Sequence, residues 1–203
     1  MIPRLMADTL LAAAKEYPVV TLSGPRQAGK TTLVRAVFPE HRYCNLEHPE
    51  MRRMASEDPK QFFHLHKAPM ILDEIQRVPE LLSWIQVRVD EEKRKGAFIL
   101  TGSHQLRLQE AVSQSLAGRT AILRLLPLSI RELEASGASM DKNALLHKGC
   151  LPRVYDDDLE PSSAYANYFR TYVERDVRQL MELRNQQLFE TFLRLLAGRV
   201  GQP

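Results

Sequence analysis

The sequence predicts an α/β fold of three layers (αβα), in which helices cover both faces of a five-stranded parallel sheet. The first observation is that five short apolar or β-branched runs alternate with segments of helical composition, the pattern of parallel strands joined by helices. The second is that polar residues follow several of these runs directly, at the sheet edge where such folds bind ligands. The five runs are Val19–Leu22, Tyr43–Leu46, Met70–Leu72, Ala97–Leu100 and Ala121–Leu126.

The first strand leads into a phosphate-binding loop. A predicted helix over Leu5–Glu16 ends before Pro18, and Val19–Leu22 follows as a buried strand. The next residues, GPRQAGKT at 24–31, match the pattern G-x-x-x-x-G-K-[ST], and a predicted helix follows them up to Pro39. Strand, glycine loop and helix in this order predict the fold of P-loop NTPases.

The chemistry of this loop explains its spacing. Gly24 and Gly29 let the backbone turn tightly and bring its N–H groups close to phosphate oxygens. Lys30 places a positive charge on the β- and γ-phosphates, and the Thr31 hydroxyl is an oxygen ligand for Mg²⁺. The helix that starts near Lys30 directs its N-terminal partial charge at the same phosphates. The predicted nucleotide-binding residues are Gly24, Pro25, Arg26, Gln27, Ala28, Gly29, Lys30, Thr31 and Thr32.

Two carboxylates end the third strand. Pro49 starts a predicted helix over 49–56 and Pro59 starts another, before Met70–Leu72 runs into Asp73 and Glu74. Asp73 is placed to hold Mg²⁺, and Glu74 to orient or deprotonate an attacking water. The alternative is a strand that ends in two solvated acids. The phosphate loop earlier in the chain favours the catalytic interpretation.

Two further residues are candidates for catalysis. A helix predicted over Pro79 to Lys95 ends at Gly96, and the fourth strand then leads to Ser103, whose hydroxyl could sense the γ-phosphate. The alternative for Ser103 is an ordinary cap for a helix predicted over 104–117. Arg119 precedes the fifth strand and could stabilise charge in a neighbouring subunit, although most surface arginines do not.

The rest of the chain is predicted to be a connector and a helical lid. Residues 128–160 are mixed, with a short helix near Arg131–Leu133 and a loop from Gly137 to Asn143. From Ser162 apolar residues recur at helical spacing, and a second amphipathic helix follows. We therefore expect an ATPase core over 1–127, a connector over 128–160 and a lid over 161–203, the lid being truncated.

Composition excludes some classes of protein. The 203 residues carry a net charge of +3, too small an excess to indicate nucleic acid, and aromatic and basic residues do not interleave. No apolar run approaches the ~20 residues that a membrane span needs. The first residues lack the apolar core and cleavage site of a signal peptide, so we expect a cytoplasmic protein with no membrane partner.

With these residues in hand, the chain resembles the AAA-type ATPases of bacteria and archaea that carry an additional C-terminal domain of unknown function. The resemblance implies ATP as the nucleotide, Asp73 as the Mg²⁺ ligand and Glu74 as the catalytic base. It also implies that the strand before Ser103 lies between the phosphate-loop strand and the Asp73 strand. The motifs that carry it are GPRQAGKTTL at 24–33, YCNLEHPE at 43–50, ILDEIQRVPEL at 71–81, FILTGS at 98–103, SLAGRTAILRLLPLS at 115–129, GCLPRV at 149–154 and YVERDVRQL at 172–180.

These observations favour a Mg²⁺-dependent ATPase that hydrolyses ATP to ADP and phosphate and couples hydrolysis to motion of a helical lid or a partner. Lys30, Glu74 and Ser103 would act in the site, and Arg119 or Arg175 could complete a site in trans within a homo-oligomer. The main alternative is a regulatory switch with little turnover that acts by binding a protein partner. A small-molecule kinase is less favoured because the tandem acids suit water as the acceptor, and a nucleic-acid-binding module lacks support.

Overall fold

Five parallel strands form the centre of the structure, a computed structural model that describes residues 2–103, 112, 114–172 and 186–200. The sheet has the order β2-β3-β4-β1-β5, and every neighbouring pair is parallel, as predicted. The strands are β1 (Val19–Ser23), β2 (Arg42–Asn45), β3 (Met70–Asp73), β4 (Phe98–Gly102) and β5 (Thr120–Arg124).

This strand order brings the predicted site residues to one edge of the sheet. The central strand β1 pairs with β4 on one side and β5 on the other, and β4 also pairs with β3. The predicted position of β4, between the phosphate-loop strand and the strand that ends in Asp73, is therefore confirmed. Because all strands are parallel, the loops after β1, β3 and β4 leave from the same edge.

Helices cover both faces of the sheet. They are α1 (Met6–Glu16), α2 (Lys30–Val37), α3 (Pro49–Glu57), α4 (Pro59–Leu65) and α5 (Leu81–Glu92). Successive side chains of β4 enter different cores: Phe98 and Leu100 pack with residues of α4 and α5, whereas Ile99 packs with residues of α1 and α2. This alternation is the geometry of a strand buried on both faces, and it gives the three-layer αβα arrangement.

Helix α5 is shorter than predicted. It ends at Glu92 because Lys93 adopts a left-handed conformation with φ 51°. Gly96, predicted to end the helix, instead lies in the turn before β4, where its N–H donates to the Tyr17 carbonyl at 2.9 Å. That bond ties the end of α1 to the start of β4.

The connector is more helical than predicted. It contains α6 (Ile130–Ala135), α7 (Lys142–Lys148) and α8 (Pro152–Asp156). The predicted loop over Gly137–Asn143 is wrong at its end, since the Asp141 side chain caps α7 by accepting from the Ala144 N–H at 2.8 Å. Pro152 suits the first turn of α8 because it has no N–H to leave without a partner.

The chain divides into two compact units, Met1–Asp158 and Leu159–Pro203. The second unit contains α9 (Pro161–Tyr172) and α10 (Gln186–Ala197), in agreement with the predicted helical C-terminal part. Arg175 and most of the helix predicted over 104–117 lie outside the described residues. Within the described part of the chain, no helix combines the length and apolar character needed to cross a bilayer.

Candidate nucleotide-binding site

The phosphate loop joins β1 to α2, and its two glycines are required by the backbone. Gly24 packs so closely against the segment after β5 that a Cβ there would collide with the carbonyl oxygen of Leu125. Gly29 is the N-cap of α2 and is left-handed, with φ 88° and ψ 22°. A side chain would strain both positions, which explains the two fixed glycines of the motif.

Lys30 lies folded within the loop. Its side chain is buried, and its ammonium donates to the carbonyls of Gly24 at 3.0 Å and Pro25 at 2.9 Å. Lys30 is also the first residue of α2, so its charge adds to the partial positive charge of the helix N-terminus. The loop therefore concentrates positive potential at the carboxyl edge of the sheet.

The other predicted loop residues differ in their exposure to solvent. Ala28 is buried, Pro25, Arg26 and Gly29 are partly exposed, and Gln27 and Thr32 are exposed. Gln27 is left-handed with φ 59°, one of four non-glycine residues with positive φ in the described chain.

The two predicted metal ligands are in contact. The Thr31 hydroxyl donates to the Asp73 carboxylate, at 2.9 Å to Oδ2 and 3.2 Å to Oδ1. A hydroxyl and a carboxylate are the hard oxygen ligands that Mg²⁺ takes from proteins, the remaining positions being filled by phosphate and water. Among the described residues, no group of three His, Cys, Asp or Glu side chains could hold a metal. The hydroxyl of Thr31 and the carboxylate of Asp73 are donors that fit Mg²⁺ bound together with a nucleotide.

Two hydroxyl groups that the sequence analysis missed orient Asp73. The Tyr43 hydroxyl donates to Asp73 Oδ2 at 2.7 Å, and the Thr101 hydroxyl donates to Oδ1. Burial, followed by the hydrogen bond to the Asp73 carboxylate, raises the pKa of Tyr43 well above its ordinary value. Tyr43 reaches Asp73 because edge strand β2 pairs with β3, and no motif in the sequence reports that register.

The predicted base and the predicted sensor are also in contact. Glu74 follows β3 in a left-handed conformation, with φ 59° and ψ 46°. The Ser103 hydroxyl donates to the Glu74 carboxylate at 3.1 Å. Gln76 was not among the predicted site residues. Its side-chain amide donates to the same carboxylate, and the amide nitrogen lies 3.3 Å from the Ser103 hydroxyl oxygen. Glu74 is thus held by two neighbouring donors.

Arg119 lies at the amino ends of the strands, opposite the end that bears the phosphate loop. It directly precedes β5, and its carbonyl accepts from the N–H of Val19, the first residue of β1. The guanidinium forms two bonds to Asp90 on α5, at 2.6 and 2.8 Å. The hydrogen bond between them lowers the pKa of Asp90 and raises that of Arg119. The length of β1 therefore separates Arg119 from the phosphate loop of its own chain.

A mainly apolar cavity of about 290 Å³ adjoins the phosphate loop. Its walls come from three parts of the chain: the N-terminal segment at Ile2–Arg4, the loop and α2 between Gly29 and Val37, and α8. No local pattern in the sequence indicates this cavity, because its walls are distant from one another in the chain. The cavity is next to the site at which the motif would hold phosphates.

The comparisons with known proteins agree with this geometry. Residues 16–134 match the AAA domain family, and residues 141–203 match a domain of unknown function, DUF8612. An uncharacterized protein of Mycobacterium tuberculosis is 35% identical over 178 residues. That match covers 86% of this chain but only 39% of the relative.

Solved structures support the fold. The Walker-type ATPase PABY2304 of Pyrococcus abyssi aligns with a TM-score of 0.58 at 14% identity, over 90% of this chain and 76% of that protein. AMPPCP-bound DnaA from Aquifex aeolicus aligns with a TM-score of 0.53 at 15% identity, over 87% of this chain and 65% of that protein. With the match to more than half of its length, the phosphate loop and the strand order, the chain belongs to the AAA family of P-loop NTPases.

Proposed function

We propose that the chain binds ATP with Mg²⁺ and hydrolyses it to ADP and phosphate. The observation that carries this proposal is that two hydrogen-bonded pairs lie at the end of the sheet that bears the phosphate loop. They are Thr31 with Asp73 and Ser103 with Glu74. One pair offers oxygen ligands for a metal, and the other offers a base and a hydroxyl for water. Together they match the requirements of phosphoryl transfer to water.

The loop and the adjacent cavity would hold the two ends of the nucleotide. The loop amides and the Lys30 ammonium bind the phosphates, the ammonium exchanging its bonds to Gly24 and Pro25 for phosphate oxygens. The cavity beside Gly29 has apolar walls that suit a flat purine. ATP is chosen over other nucleotides on the family relationship.

Thr31 and Asp73 would hold Mg²⁺, which when bound supplies positive charge to the β- and γ-phosphates. Tyr43 and Thr101 keep the Asp73 carboxylate in one orientation through their hydroxyl groups. Because Asp73 is buried, a second conformation of this carboxylate would leave hydrogen-bonding groups without partners.

Glu74 acts as the general base in this proposal. Its carboxylate accepts a proton from water as the water oxygen attacks the γ-phosphorus, and the bond to the bridging oxygen breaks to release ADP. Ser103, in contact with Glu74, would orient the water or respond to loss of the γ-phosphate. The useful output is motion of the helical lid or of a bound partner.

Arg119 would act only on the site of a second copy of the chain. Its distance from the loop of its own chain excludes a direct role there, and its bonds to Asp90 must open before it can reach a phosphate. This role of Arg119 therefore requires a homo-oligomer.

A regulatory switch with little turnover is the second candidate, and two contacts of Glu74 favour it. The Gln76 amide and the Ser103 hydroxyl both bond to the Glu74 carboxylate, so these donors must rearrange before water can replace them. A protein in which they persist would bind ATP, change conformation and hydrolyse it slowly.

Single-turnover hydrolysis of labelled ATP with Mg²⁺ tests the proposal. We expect Glu74→Gln to bind ATP within about threefold of the wild type and to hydrolyse it at least ~100-fold more slowly, the usual contribution of a general base. Equal hydrolysis by the two proteins would contradict the assignment of the base. Tight binding with no hydrolysis above the uncatalysed rate, even by the wild type, would favour the switch.

A further inference from the structure

Arg4 connects three parts of the chain beneath the phosphate loop. Its side chain is only 8% exposed, and Nη1 donates to the Ala28 carbonyl of the loop at 2.6 Å. Nη2 donates to the Leu126 carbonyl at 2.6 Å, and Nε donates to the Glu132 carboxylate at 3.1 Å. The residue thus joins the N-terminal segment, the loop and the segment after β5.

Glu132 holds the guanidinium in place. One carboxylate oxygen accepts from Arg4 Nε and from the Leu5 N–H, and the other accepts from the N–H and hydroxyl of Ser129. Burial alone would raise the pKa of Glu132, but the bonds from Ser129, Leu5 and Arg4 hold it below its ordinary value. The Glu132 carboxylate therefore stays ionised at neutral pH, and its bond to Nε holds the guanidinium in place.

The geometry of one peptide unit transmits this constraint to the phosphate site. In a planar trans peptide, the carbonyl of one residue and the N–H of the next point in opposite directions. Because the Ala28 carbonyl points toward Arg4 Nη1, the Gly29 N–H points away from it, and holding the carbonyl also holds the N–H.

We propose that Arg4 is a positioning residue that orients the Ala28–Gly29 peptide for phosphate binding. The inference deepens the proposed function, since it concerns the same loop. It explains why a buried arginine from the N-terminal segment gives its donors to backbone carbonyls of two other segments. If Arg4 only stabilised the fold, replacing it would not change the order of the phosphate loop.

The test compares Arg4→Lys and Arg4→Met with the wild type and with Ser129→Ala. Lysine keeps a charge beside Glu132, but its single nitrogen cannot replace the guanidinium fork that reaches Glu132, Ala28 and Leu126 together. Methionine keeps the apolar stem and removes every donor. Ser129→Ala is the matched control, because it removes a bond to the other oxygen of the same carboxylate and leaves the loop untouched.

The decisive readout is the ¹⁵N order parameter of the Gly29 amide in protein without nucleotide. We expect a decrease from about 0.85, typical of rigid backbone, to below about 0.6 in the Arg4 variants, with no change in Ser129→Ala. ATP affinity should fall by about ten- to a hundredfold, as when a buried charge-assisted hydrogen bond is lost.

Each outcome decides the inference. An order parameter at Gly29 that stays at the wild-type value in both Arg4 variants would overturn it, whatever happens to stability. If Arg4→Met does not fold, Arg4→Lys gives the same readout with the charge retained. If the wild type binds no ATP but Gly29 loosens in the Arg4 variants alone, the proposed function fails and the positioning role stands.

Discussion

The hydroxyl oxygen of Thr31 lies 2.9 Å from a carboxylate oxygen of Asp73, which joins the first turn of α2 to the last residue of β3. These residues are 42 positions apart in the chain, yet the strand order places them side by side. The phosphate loop and the predicted metal carboxylate are therefore parts of one arrangement, which makes specific predictions.

Asp73→Asn should remove the effect of Mg²⁺ on nucleotide affinity. An amide is a poorer ligand for a hard cation, and its N–H₂ group would face hydroxyl groups that now donate to a carboxylate. We expect Mg²⁺ to strengthen ATP binding by the wild type, and expect this increase to shrink at least ~10-fold in the variant. Titrations with and without Mg²⁺ measure it, with Asp58→Asn as the control, because Asp58 caps α4 by accepting from the Gln61 N–H. An equal effect of Mg²⁺ on both proteins would contradict the assignment.

The ion pair between Arg4 and Glu132 should make stability depend on acid pH. Because the pKa of Glu132 is lowered in the folded state, its contribution is complete above the ordinary value of 4.5 and is lost as pH falls through the lower folded value. We expect Glu132→Gln to lower the free energy of unfolding by roughly 1.5–3 kcal/mol at neutral pH. The difference from the wild type should shrink as pH falls below 4.5.

Urea unfolding between pH 3 and 7 measures this difference, and Glu134→Gln is the control, because Glu134 is exposed on the same helix. A difference that stays constant down to pH 3 would show that the Glu132 charge is not the source of the stabilisation.

Mixing two inactive variants should show whether Arg119 acts on the site of a neighbouring copy of the chain. Lys30→Ala retains Arg119 but has a defective loop, whereas Arg119→Ala retains the loop. If Arg119 serves a neighbouring copy, a mixture should hydrolyse ATP several-fold faster than the sum of the two proteins alone. Steady-state hydrolysis against protein concentration checks this, with an Asp90→Ala variant to release the arginine from its partner. A mixture that hydrolyses ATP no faster than the sum would contradict a role of Arg119 in the site of a neighbouring copy.

The five strands and the phosphate loop could be predicted because local patterns determine them, whereas the position of β4 between β1 and β3 was implied by the family resemblance. The loop spacing, the apolar run before Asp73 and the hydroxyl after β4 are all contiguous in the chain. Tyr43 and Gln76 could not be found in this way, because one depends on the register of an edge strand and the other on the left-handed turn at Glu74. Arg4 meets Glu132 across 128 positions, a separation at which no periodicity carries information.

The boundary of α5 shows a second limit of local patterns. Gly96 is a good helix terminator by composition, but Lys93 ends the helix first by adopting a left-handed conformation. The Gly96 N–H then bonds to Tyr17, a contact between distant segments. Tertiary hydrogen bonds thus override the local preference at this boundary.

Equilibrium titration of ATP with Mg²⁺ against the wild type and Lys30→Ala tests the central claim most directly. We expect saturable binding by the wild type and a loss of at least ~10-fold in affinity for Lys30→Ala, because charge-assisted bonds to phosphate disappear. Lys15→Ala, on the exposed last turn of α1, should bind like the wild type. Equal affinity of the wild type and Lys30→Ala, or no binding by either protein, would contradict the account.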